Sequence, residues 1–439
     1  MKMLHASANP RSFLLATFEG GGSVGPVIVV AQKLLARGHK VRVMSDEANR
    51  GDAESVGAEF VPWSRAPNRA DRSRYSDPTK DWEAQGPDQL KRWIDYAFAG
   101  PALLYAQDVI EELEREPADL VIGSELILGI GLGCEAIGQP HALLACCPLF
   151  YPVQGATPMG IGLRPAHSDE ERAQHAQASA MIHDLFDHGL PALNAAREAL
   201  GLAPLAHALD QTWQADRVLV ASSPAFDFNA PAMPDKVSYV GPQLGSACWA
   251  KPWVSPWADD DTRPLVVVGF STTFQDHAEV LQRIMNAAAD LPVRVLVTLG
   301  GSIEDHEVVA PHNAVVAHSA PHDVVMREAA LVVTHGGHGT VMRALVHQKP
   351  ILVLPHGRDQ TDNGARVEEQ GAGLMLHAGA SVEQIRDSLR ILLNDPQFVL
   401  AAQTLGEKVC ADAAQSRVVE ELEALAHQSS ASGSEIRCA

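Results

Sequence analysis

The residues with the clearest capacity for chemistry are concentrated in two polar segments. The first is the glycine-rich stretch from Thr334 to Thr340, and the second contains Asp359, Gln360 and Asn363. Glycine lets a backbone approach a phosphate closely, and the start of a following helix offers free N–H groups and the positive end of the helix dipole. Carboxylate and amide side chains can bind neighbouring hydroxyl groups. The two segments therefore predict one site for a diphosphate and a sugar-like polyol.

Two apolar runs must position these segments. Leu331-Val332-Val333 precedes the glycine-rich stretch, and Ile351 to Leu354, closed by Pro355, precedes the second segment. Both runs are predicted to be buried strands of a parallel sheet, in which ligands bind beyond the carboxyl ends of the strands. Similar apolar runs alternate with helical patterns along the chain, which is typical of a doubly wound α/β fold. Both polar segments are therefore expected at the same edge of one sheet.

Composition limits the class of protein. The chain has 439 residues, 46% of them hydrophobic, which is enough for two domains. No apolar run reaches the length of a membrane span, and the first residues lack the pattern of a signal peptide. Six cysteines without the spacing of a disulfide or zinc framework indicate a reducing compartment, so a cytoplasmic location is expected. A formal net charge of -20 argues against a general basic surface for nucleic acid or anionic membrane.

The polar segments and the residues between them resemble the donor signature of a known enzyme family. The matching residues, in chain order, are His335-Gly336-Gly337-His338-Gly339-Thr340, Lys349-Pro350, Pro355, Asp359-Gln360 and Asn363. In this order and spacing they resemble the GT-B glycosyltransferases of the UDP-glucuronosyl/macrolide glycosyltransferase type, family 1. The resemblance implies an α/β fold of two Rossmann-like doubly wound domains that face an interdomain cleft. It also implies that the matched residues bind a nucleotide-sugar donor.

The resemblance and the composition together divide the chain into four parts. Residues 1–239 are expected to form an acceptor-binding Rossmann-like domain, and residues 265–400 a nucleotide-sugar-binding Rossmann-like domain. The stretch 240–264 is rich in Pro, Gly, Trp and Asp and is interpreted as the interdomain linker. Residues 401–439 are predicted to form a C-terminal helix that crosses back onto the first domain, followed by a frayed tail.

A second glycine loop near the N-terminus permits a different interpretation. Gly20 to Gly25 fits G-x-G-x-x-G after a strand and before a helix, and Asp46 stands at the end of the next strand. This is the full dinucleotide-binding pattern, so an NAD-dependent oxidoreductase is one alternative. In the resembled family the same turn leaves room for the acceptor and the donor sugar. The donor signature in the other half of the chain favours that second interpretation.

The residue that would take the proton from an acceptor is not the family's usual one. Relatives use a His in Gly-His-x-x-Pro, whereas this chain has Gly22-Ser23-Val24-Gly25-Pro26, and the family's partner Asp maps near Ser124-Glu125. A serine hydroxyl alone cannot act as a base near neutral pH. Glu19 or Glu125 is expected to replace the histidine, helped by burial that raises its pKa. The alternatives are a histidine from a loop, an acidic acceptor that needs little help, or a protein that binds without catalysis.

Further donor contacts are expected on the second domain. Ser271 and Thr272 follow the strand Leu265 to Phe270, where relatives place hydroxyl groups against the diphosphate, with helix capping as the alternative role. The aromatic residue that stacks on the base in relatives is Ser319 here. Contacts to the base are therefore expected from Ala320 and His322.

These observations predict an inverting, metal-independent glycosyltransferase. It would move a sugar from a UDP- or dTDP-sugar to a lipophilic small molecule such as a polyketide or a phenolic compound. No cofactor is expected beyond the nucleotide-sugar co-substrate, and no nucleic acid or membrane partner. The competing functions are a catalytically silent GT-B binding protein, an NAD-dependent oxidoreductase and a sugar-nucleotide epimerase. The sugar, the aglycone, the type of glycosidic bond, the oligomeric state and the choice between UDP and dTDP stay open at this point.

Overall fold

The computed structural model describes residues 9–149, 151, 153, 155–228, 230, 232–245, 253–271, 273–300 and 307–436, with side chains as far as residue 428. Thr272, one of the predicted donor residues, lies outside the described residues. Two parallel sheets organise the chain. No helix in the described part of the chain has the length and apolar character needed to cross a bilayer.

The first sheet has seven parallel strands. Their bounds are β1 Ser12–Ala16, β2 Lys40–Ser45, β3 Glu59–Pro62, β4 Leu120–Ser124, β5 His141–Ala145, β6 Arg217–Val220 and β7 Val237–Tyr239. Their spatial order is β3-β2-β1-β4-β5-β6-β7. The order reverses between β1 and β4, and such a reversal opens a crevice beyond the carboxyl ends of the two strands. Ala16 lies beside Gly123 in the register of this pair, so the loops after β1 and β4 leave the sheet together.

Helices and short turns connect these strands. The helices are α1 Val24–Ala36, α2 Arg50–Ser55, α3 Pro87–Trp93, α4 Ala102–Arg115, α5 Leu128–Ile137, α6 Asp169–Phe186 and α7 Leu190–Ala199. Shorter helical turns span Glu47–Asn49, Arg74–Ser76, Asp81–Glu83, Ile94–Phe98, Asp187–Gly189 and Ala208–Gln214. Helix α6 begins where Ser168 and Glu171 form a reciprocal capping box, which satisfies two backbone N–H groups. The polar stretch 62–101 is therefore not a plain surface loop, because it contains α3 and several helical turns.

The second sheet has six parallel strands. They are β8 Leu265–Gly269, β9 Arg294–Thr298, β10 Ala314–Ala317, β11 Leu331–Thr334, β12 Ile351–Val353 and β13 Gly373–Met375, in the spatial order β10-β9-β8-β11-β12-β13. The order reverses between β8 and β11. Thr334 at the end of β11 lies beside Gly269 of β8 and Val353 of β12. The loops that carry Ser271, His335 and Asp359 therefore leave the sheet at one edge.

The second sheet is buried on both faces. Its helices are α8 Ala278–Ala288, α9 His322–Glu328, α10 His338–Val346, α11 Gln360–Glu369, α12 Val382–Asn394 and α13 Pro396–Ala414. Val266 and Val333 belong to the cluster that packs against α8 and α12, whereas Val267 and Val332 belong to the opposite cluster with α10 and α13. Side chains alternate between the two faces of a strand, so these strands need continuous apolar sequence.

The C-terminal stretch forms two helices rather than the single helix predicted within residues 401–439. Helix α13 packs on the second domain, where Leu405 and Val409 are buried in its core. The last helix, α14 (Val418–Ile436), packs on the first domain, where Leu422 and Ala426 join the core of that sheet. Gly241 lies against the backbone of Asp412, with no room for a side chain at that crossing.

Candidate active site

The glycine-rich turn after β11 is shaped by close packing. Gly336 has a φ of +98°, and a Cβ on it would come within 2.8 Å of the backbone oxygen of Gln360. Gly337 directly precedes α10, and a Cβ there would meet the ring of His335 at 2.6 Å. Gly339 and Thr340 lie in the first turn of α10. Because side chains are missing at the turn, the N–H groups at the start of α10 are open to an anionic ligand.

His335 is buried at the entrance of this turn and is neutral. Burial, followed by the charges of His356 and Arg358, lowers the pKa of His335 to about 3. Its Nδ1 lies 3.3 Å from the hydroxyl of Thr334, and its ring lies 5.7 Å from that of Phe270. A neutral imidazole binds a phosphate by hydrogen bonding, and an arriving anion would favour its protonation.

The second polar segment is bonded directly to the glycine-rich turn. Asn363 donates from Nδ2 to the backbone oxygen of Gly336 at 2.8 Å and to Oδ2 of Asp359 at 2.7 Å. Gln360 is buried, and its Oε1 accepts from the backbone N–H of His356 at 2.7 Å. Its Nε2 donates to Oε1 of Gln275 at 2.9 Å. Gln360 and Asn363 thus hold the loops together, while Asp359 is only half-buried and faces the cleft.

The other predicted donor residues lie at the same edge of the second sheet. Ser271 is buried, and its hydroxyl lies 2.8 Å from the hydroxyl of Thr273. Ala320 is part of the core beside β8 and β9. His322 begins α9, and its Nε2 lies 3.3 Å from the hydroxyl of Thr298. Burial lowers the pKa of His322 to about 4, so it too is neutral at physiological pH.

On the first domain, the acidic side chains at the glycine loop after β1 bind other groups of the same domain. Glu19 is buried, accepts from the backbone N–H of Gly21 at 2.9 Å and pairs with Arg72 at 2.9 Å. Asp46 accepts from the N–H groups of Glu19 and Arg69 at 2.7 and 2.6 Å, one with each carboxylate oxygen. In the dinucleotide pattern Asp46 would bind ribose hydroxyls. Here both of its oxygens bind backbone groups of the same domain, which disfavours the NAD interpretation.

Glu125 and Ser23 lie next to each other at the crevice of the first sheet. Glu125 follows β4, is 1% exposed and accepts from the backbone N–H of Cys146 at 3.0 Å. The thiol of Cys146 donates to the backbone oxygen of Ser23 at 3.5 Å, and the Ser23 hydroxyl donates to the backbone oxygen of Phe18 at 3.3 Å. Burial, with a further contribution from the negative charge of Asp359, raises the pKa of Glu125 to about 7. The negative charge of Asp359 on the second domain therefore acts on Glu125 of the first.

Comparison with known proteins identifies the family. Residues 282–425 match the family described as erythromycin biosynthesis protein CIII-like, C-terminal domain. The chain is 28% identical over 424 residues to 4'-demethylrebeccamycin synthase of Lentzea aerocolonigenes, covering 94% of this chain and 99% of that protein. It is 27% identical over 390 residues to demethyllactenocin mycarosyltransferase of Streptomyces fradiae, covering 86% and 78%. These similarities support the predicted family, the GT-B glycosyltransferases of the family 1 type.

Solved structures of glycosyltransferases share the fold of this glycosyltransferase. The crystal structure of the kitacinnamycin glycosyltransferase superposes with a TM-score of 0.74 at 18% identity, over 95% of this chain and 99% of that chain. The calicheamicin glycosyltransferase CalG4 superposes with a TM-score of 0.69 at 19% identity, over 96% and 99%. The predicted family, the GT-B fold and the enzyme class are confirmed.

Several contacts that join the domains of this glycosyltransferase were not predicted. Arg358 donates to Asp81 of the first domain at 3.0 Å and to Thr273 at 2.9 Å. Asp362, inside the second polar segment, accepts from the backbone N–H groups of Gly160 and Gly162 at 2.7 and 3.0 Å. Arg358 and Asp362 stand beside Asp359-Gln360 in the sequence, and this position was the only available indication that they belong to the site. Their partners are distant in sequence, and the sequence carries no signal for them.

Three histidines adjoin the donor loops of the glycosyltransferase without forming a metal site. His277 is fully buried, and its ring lies 4.5 Å from that of His356 and 5.8 Å from that of His335. Burial, with the charges of His356 and His335, lowers the pKa of His277 well below its ordinary value. Among the described residues, no group of three or more His, Cys, Asp or Glu side chains is placed to bind a metal ion.

Proposed function

We propose that this glycosyltransferase moves a sugar from a UDP- or dTDP-sugar to a lipophilic small-molecule acceptor by a single inverting displacement, without a metal ion. The acceptor class is that of natural products, such as polyketides or phenolic compounds. One observation carries the proposal. Glu125 is a buried glutamate that follows β4 at the crevice of the first sheet, and burial, with a smaller contribution from the charge of Asp359 on the second domain, raises its pKa to about 7.

The donor side supplies groups suited to a leaving diphosphate. The start of α10 at His338 presents N–H groups and the positive end of the helix dipole beside the glycine-rich turn. His335 adds a hydrogen-bonding imidazole, and Thr340 adds a hydroxyl in the first helical turn. Oriented donors of this kind stabilise charge that develops on a leaving group. They support departure of the nucleoside diphosphate without a bound metal.

Glu125 is the proposed general base. Its carboxylate would take the proton from the acceptor hydroxyl while the acceptor oxygen forms a bond to the anomeric carbon. The bond from that carbon to the diphosphate oxygen breaks, and the diphosphate leaves with the electron pair. Attack from the face opposite the leaving group inverts the anomeric centre. A pKa near 7 suits this role, since a base works best with a pKa close to the operating pH.

The position of Glu125 supports this assignment over Glu19. Ser23 occupies the place of the family's catalytic histidine, and Ser23 and Glu125 both contact Cys146. Glu19 is instead paired with the cation of Arg72 and bonded to Gly21, whereas the partners of Glu125 among the described residues are the uncharged groups of Ser124, Cys146 and Cys147. Since Glu125 is 1% exposed in this arrangement, the residues packed around it would have to move for the acceptor hydroxyl to reach it.

The relatives support the substrate classes. The names of the two relatives above refer to a rebeccamycin synthase and a mycarosyltransferase. A zeaxanthin glucosyltransferase of Pseudescherichia vulneris is 25% identical over 374 residues, covering 83% of this chain and 86% of that protein. The names of the mycarosyltransferase and the glucosyltransferase state the transfer of a sugar, to demethyllactenocin and zeaxanthin respectively. They differ in the sugar, so the proposal leaves both UDP- and dTDP-sugars as donors.

Mass spectrometry of paired reactions tests the proposal. The protein is incubated with UDP-glucose or a dTDP-deoxysugar and a panel of phenolic and polyketide aglycones. A mass gain equal to one sugar on an aglycone, with release of the nucleoside diphosphate, is the expected result. Addition of a chelator should leave the rate unchanged, and proton NMR of the product should show an inverted anomeric centre. The absence of any sugar gain, while UDP binds in calorimetry, would refute transfer.

A further inference from the structure

The residue between the last two glycines of the glycine-rich turn is a buried histidine. His338 is the first residue of α10, lies between Gly337 and Gly339 and is 6% exposed. In the part of the chain that the structure describes, neither its Nδ1 nor its Nε2 completes a hydrogen bond. A buried polar group without a partner costs free energy. Beside a turn that is suited to a ligand, such a group indicates that the ligand itself is the partner.

A second unpartnered atom belongs to Asn363, next to this ring. Asn363 is fully buried, and its Nδ2 donates to the backbone oxygen of Gly336 and to Oδ2 of Asp359. Because both of these partners are acceptors, the orientation of the amide is fixed, and its Oδ1 can only accept. Among the described residues no donor reaches that buried oxygen. The Asn363 side chain is close enough to His338 to favour the protonated ring, but no hydrogen bond of good geometry joins the two.

The pair of His338 and Asn363 lies where the two donor segments meet. Asn363 connects Gly336 of the glycine-rich turn to Asp359 of the second polar segment, at 2.8 and 2.7 Å. The charge of Asp359 also acts on His338. Gly337 and Asp359 are both partly exposed. A ligand that extends from a diphosphate at the turn to a sugar at Asp359 would therefore pass beside the pair.

Packing against the segment that follows β6 sets the direction of the His338 ring. Its centroid lies 5.9 Å from that of Phe226, which is fully buried, and the backbone of Ala221 is also next to the ring. Neither neighbour completes a hydrogen bond with the imidazole. The ring is therefore held in place by apolar contact while its nitrogens stay available, which suits a residue that recognises a ligand.

His338 is neutral, and this restricts the kind of group that fits the pair. Burial lowers the pKa of His338 below its ordinary value, although the charges of Asp359 and Asp227 oppose the shift. A neutral imidazole has one N–H donor, whereas Oδ1 of Asn363 needs a donor. A phosphate oxygen has no proton for Asn363, and an apolar group satisfies neither residue. A hydroxyl group can accept from His338 and donate to Asn363 at the same time.

We propose that His338 determines sugar specificity, by binding one hydroxyl group of the donor sugar together with Oδ1 of Asn363. The hydroxyl oxygen accepts from the imidazole N–H, and the hydroxyl proton is donated to the amide oxygen. The inference rests on the proposed transferase function, because it names a feature that the donor of that reaction must carry. A sugar that lacks this hydroxyl leaves both buried atoms unsatisfied and binds more weakly.

Calorimetric titration of the full-length protein with UDP-glucose and each of its monodeoxyglucose analogues tests the inference. The dTDP series is used instead if the protein binds dTDP and not UDP. The wild type should bind at least one analogue about tenfold more weakly than the parent compound, because that analogue lacks the hydroxyl. His338→Ala and His338→Phe should bind the parent and that analogue equally. The Phe variant keeps a ring against Phe226, so the test does not depend on the folding of the Ala variant.

His338→Gln and His141→Ala are the controls. Glutamine carries both a donor and an acceptor, so His338→Gln should keep a difference of about threefold between the parent and the analogue. His141 is also buried and has an unpartnered Nε2, but it begins β5, at the edge of the first sheet opposite the carboxyl ends of its strands. His141→Ala should therefore discriminate between the two compounds like the wild type.

Binding of the nucleotide alone separates a sugar contact from a structural role. Both His338→Ala and His338→Phe should bind UDP with the affinity of the wild type. An equal loss of affinity for UDP and for UDP-glucose would overturn the inference and make His338 a structural residue of the turn. A wild type that binds no sugar nucleotide, or that binds the parent and every analogue equally, would overturn it as well.

The outcomes also separate this inference from the proposed function. If discrimination depends on His338 but no aglycone gains a sugar, the sugar contact stands and the transferase proposal fails. If aglycones gain a sugar but His338→Ala and His338→Phe discriminate like the wild type, the transferase proposal stands and the sugar contact fails.

Discussion

Glu19 and Glu125 are two buried glutamates at the same edge of the first sheet, yet their surroundings prepare them for different roles. Glu19 is held by Arg72 and by the backbone of its own loop. Glu125 accepts hydrogen bonds from the backbone N–H of Cys146, the hydroxyl of Ser124 and the thiol of Cys147, and burial raises its pKa to about 7. A carboxylate that is buried without a cation can exchange a proton near neutral pH. At the scale of single residues, this difference selects Glu125.

Two substitutions test the role of Glu125: one removes this base, and the other introduces a histidine at Ser23. Glu125→Gln should lower kcat by about a hundredfold or more, because the acceptor proton loses its carrier. Adding Ser23→His to this variant places an imidazole where the resembled family has its histidine. The double variant should recover about tenfold of the lost kcat. Steady-state kinetics measure both effects, with Ser23→Ala as the control for the lost hydroxyl. A double variant no faster than Glu125→Gln would contradict the proximity of the two positions to the reacting hydroxyl.

At the scale of elements, helix α11 connects the donor site to the first domain. Asp359 directly precedes it, and Asp362 within its first turn binds the N–H groups of Gly160 and Gly162. Arg366 on the same helix pairs with Asp227 at 2.7 Å, and both side chains are buried. Gly162 has a φ of +70°, and a Cβ on it would meet Thr361 at 2.5 Å. The loop around residue 160 is therefore fitted to α11, and a change there should reach the donor sugar.

Asp362→Ala should reduce kcat/KM about tenfold, because the N–H groups of Gly160 and Gly162 lose their acceptor and the loop separates from α11. Binding of UDP should stay unchanged, because the glycine-rich turn is untouched. Hydrogen exchange should show faster exchange at Gly160 and Gly162. Asp362→Asn retains an acceptor oxygen and serves as the conservative comparison, with an effect smaller than that of Asp362→Ala. Equal kcat/KM in Asp362→Ala and wild type would show that this loop does not influence the donor site.

At the scale of the whole molecule, the last helix, α14, packs against the first domain near the N-terminal end of the chain. Glu423 on α14 pairs with Arg37 and with His39 of the first domain, each at 2.8 Å. Burial alone would raise the pKa of Glu423, but the hydrogen bonds from Arg37 and His39 lower it below its ordinary value of 4.5. A depressed folded-state pKa contributes stability above the unfolded pKa. That contribution is lost as the pH falls through the folded-state pKa.

Glu423→Gln should therefore lower the free energy of unfolding by about 1 kcal/mol at neutral pH. The difference from the wild type should shrink as the pH falls below about 4. Urea unfolding of both proteins at several pH values measures it. Glu407→Gln, at an exposed position on α13, is the control and should leave the unfolding midpoint unchanged. A deficit that persisted at low pH would show that the ion pair is not its cause.

The sequence predicted the central strands well because each is a short, continuous apolar run. The strands that begin at Leu331 and Ile351 each differ from the predicted bounds by one residue at their ends. The short edge strands Glu59–Pro62, Val237–Tyr239 and Gly373–Met375 were missed, since partly buried edge strands lack a strong apolar pattern. The reversal between α13 and α14 was also missed. The sequence has helical periodicity both before and after the break between α13 and α14, and only tertiary packing shows that they are two helices.

The site was predictable only in part. The positions of His335 and Asp359 at one sheet edge follow from strand polarity, so the residues of the donor signature could be named in advance. The choice between Glu19 and Glu125 could not be predicted from the sequence, because it depends on Arg72 and Asp359, which are distant from the two glutamates in sequence.

The pH dependence of kcat for the wild-type enzyme, with a saturating nucleotide-sugar and a phenolic aglycone, tests the central claim most directly. Glu125 must be ionised to accept the proton, so kcat should be low in acid, rise through an apparent pKa near 7 and reach a plateau above it. In Glu125→Gln that rise should disappear together with most of the rate. A wild-type profile that is flat across about pH 5 to 9, or an unchanged profile and rate in Glu125→Gln, would contradict the claim that Glu125 is the base.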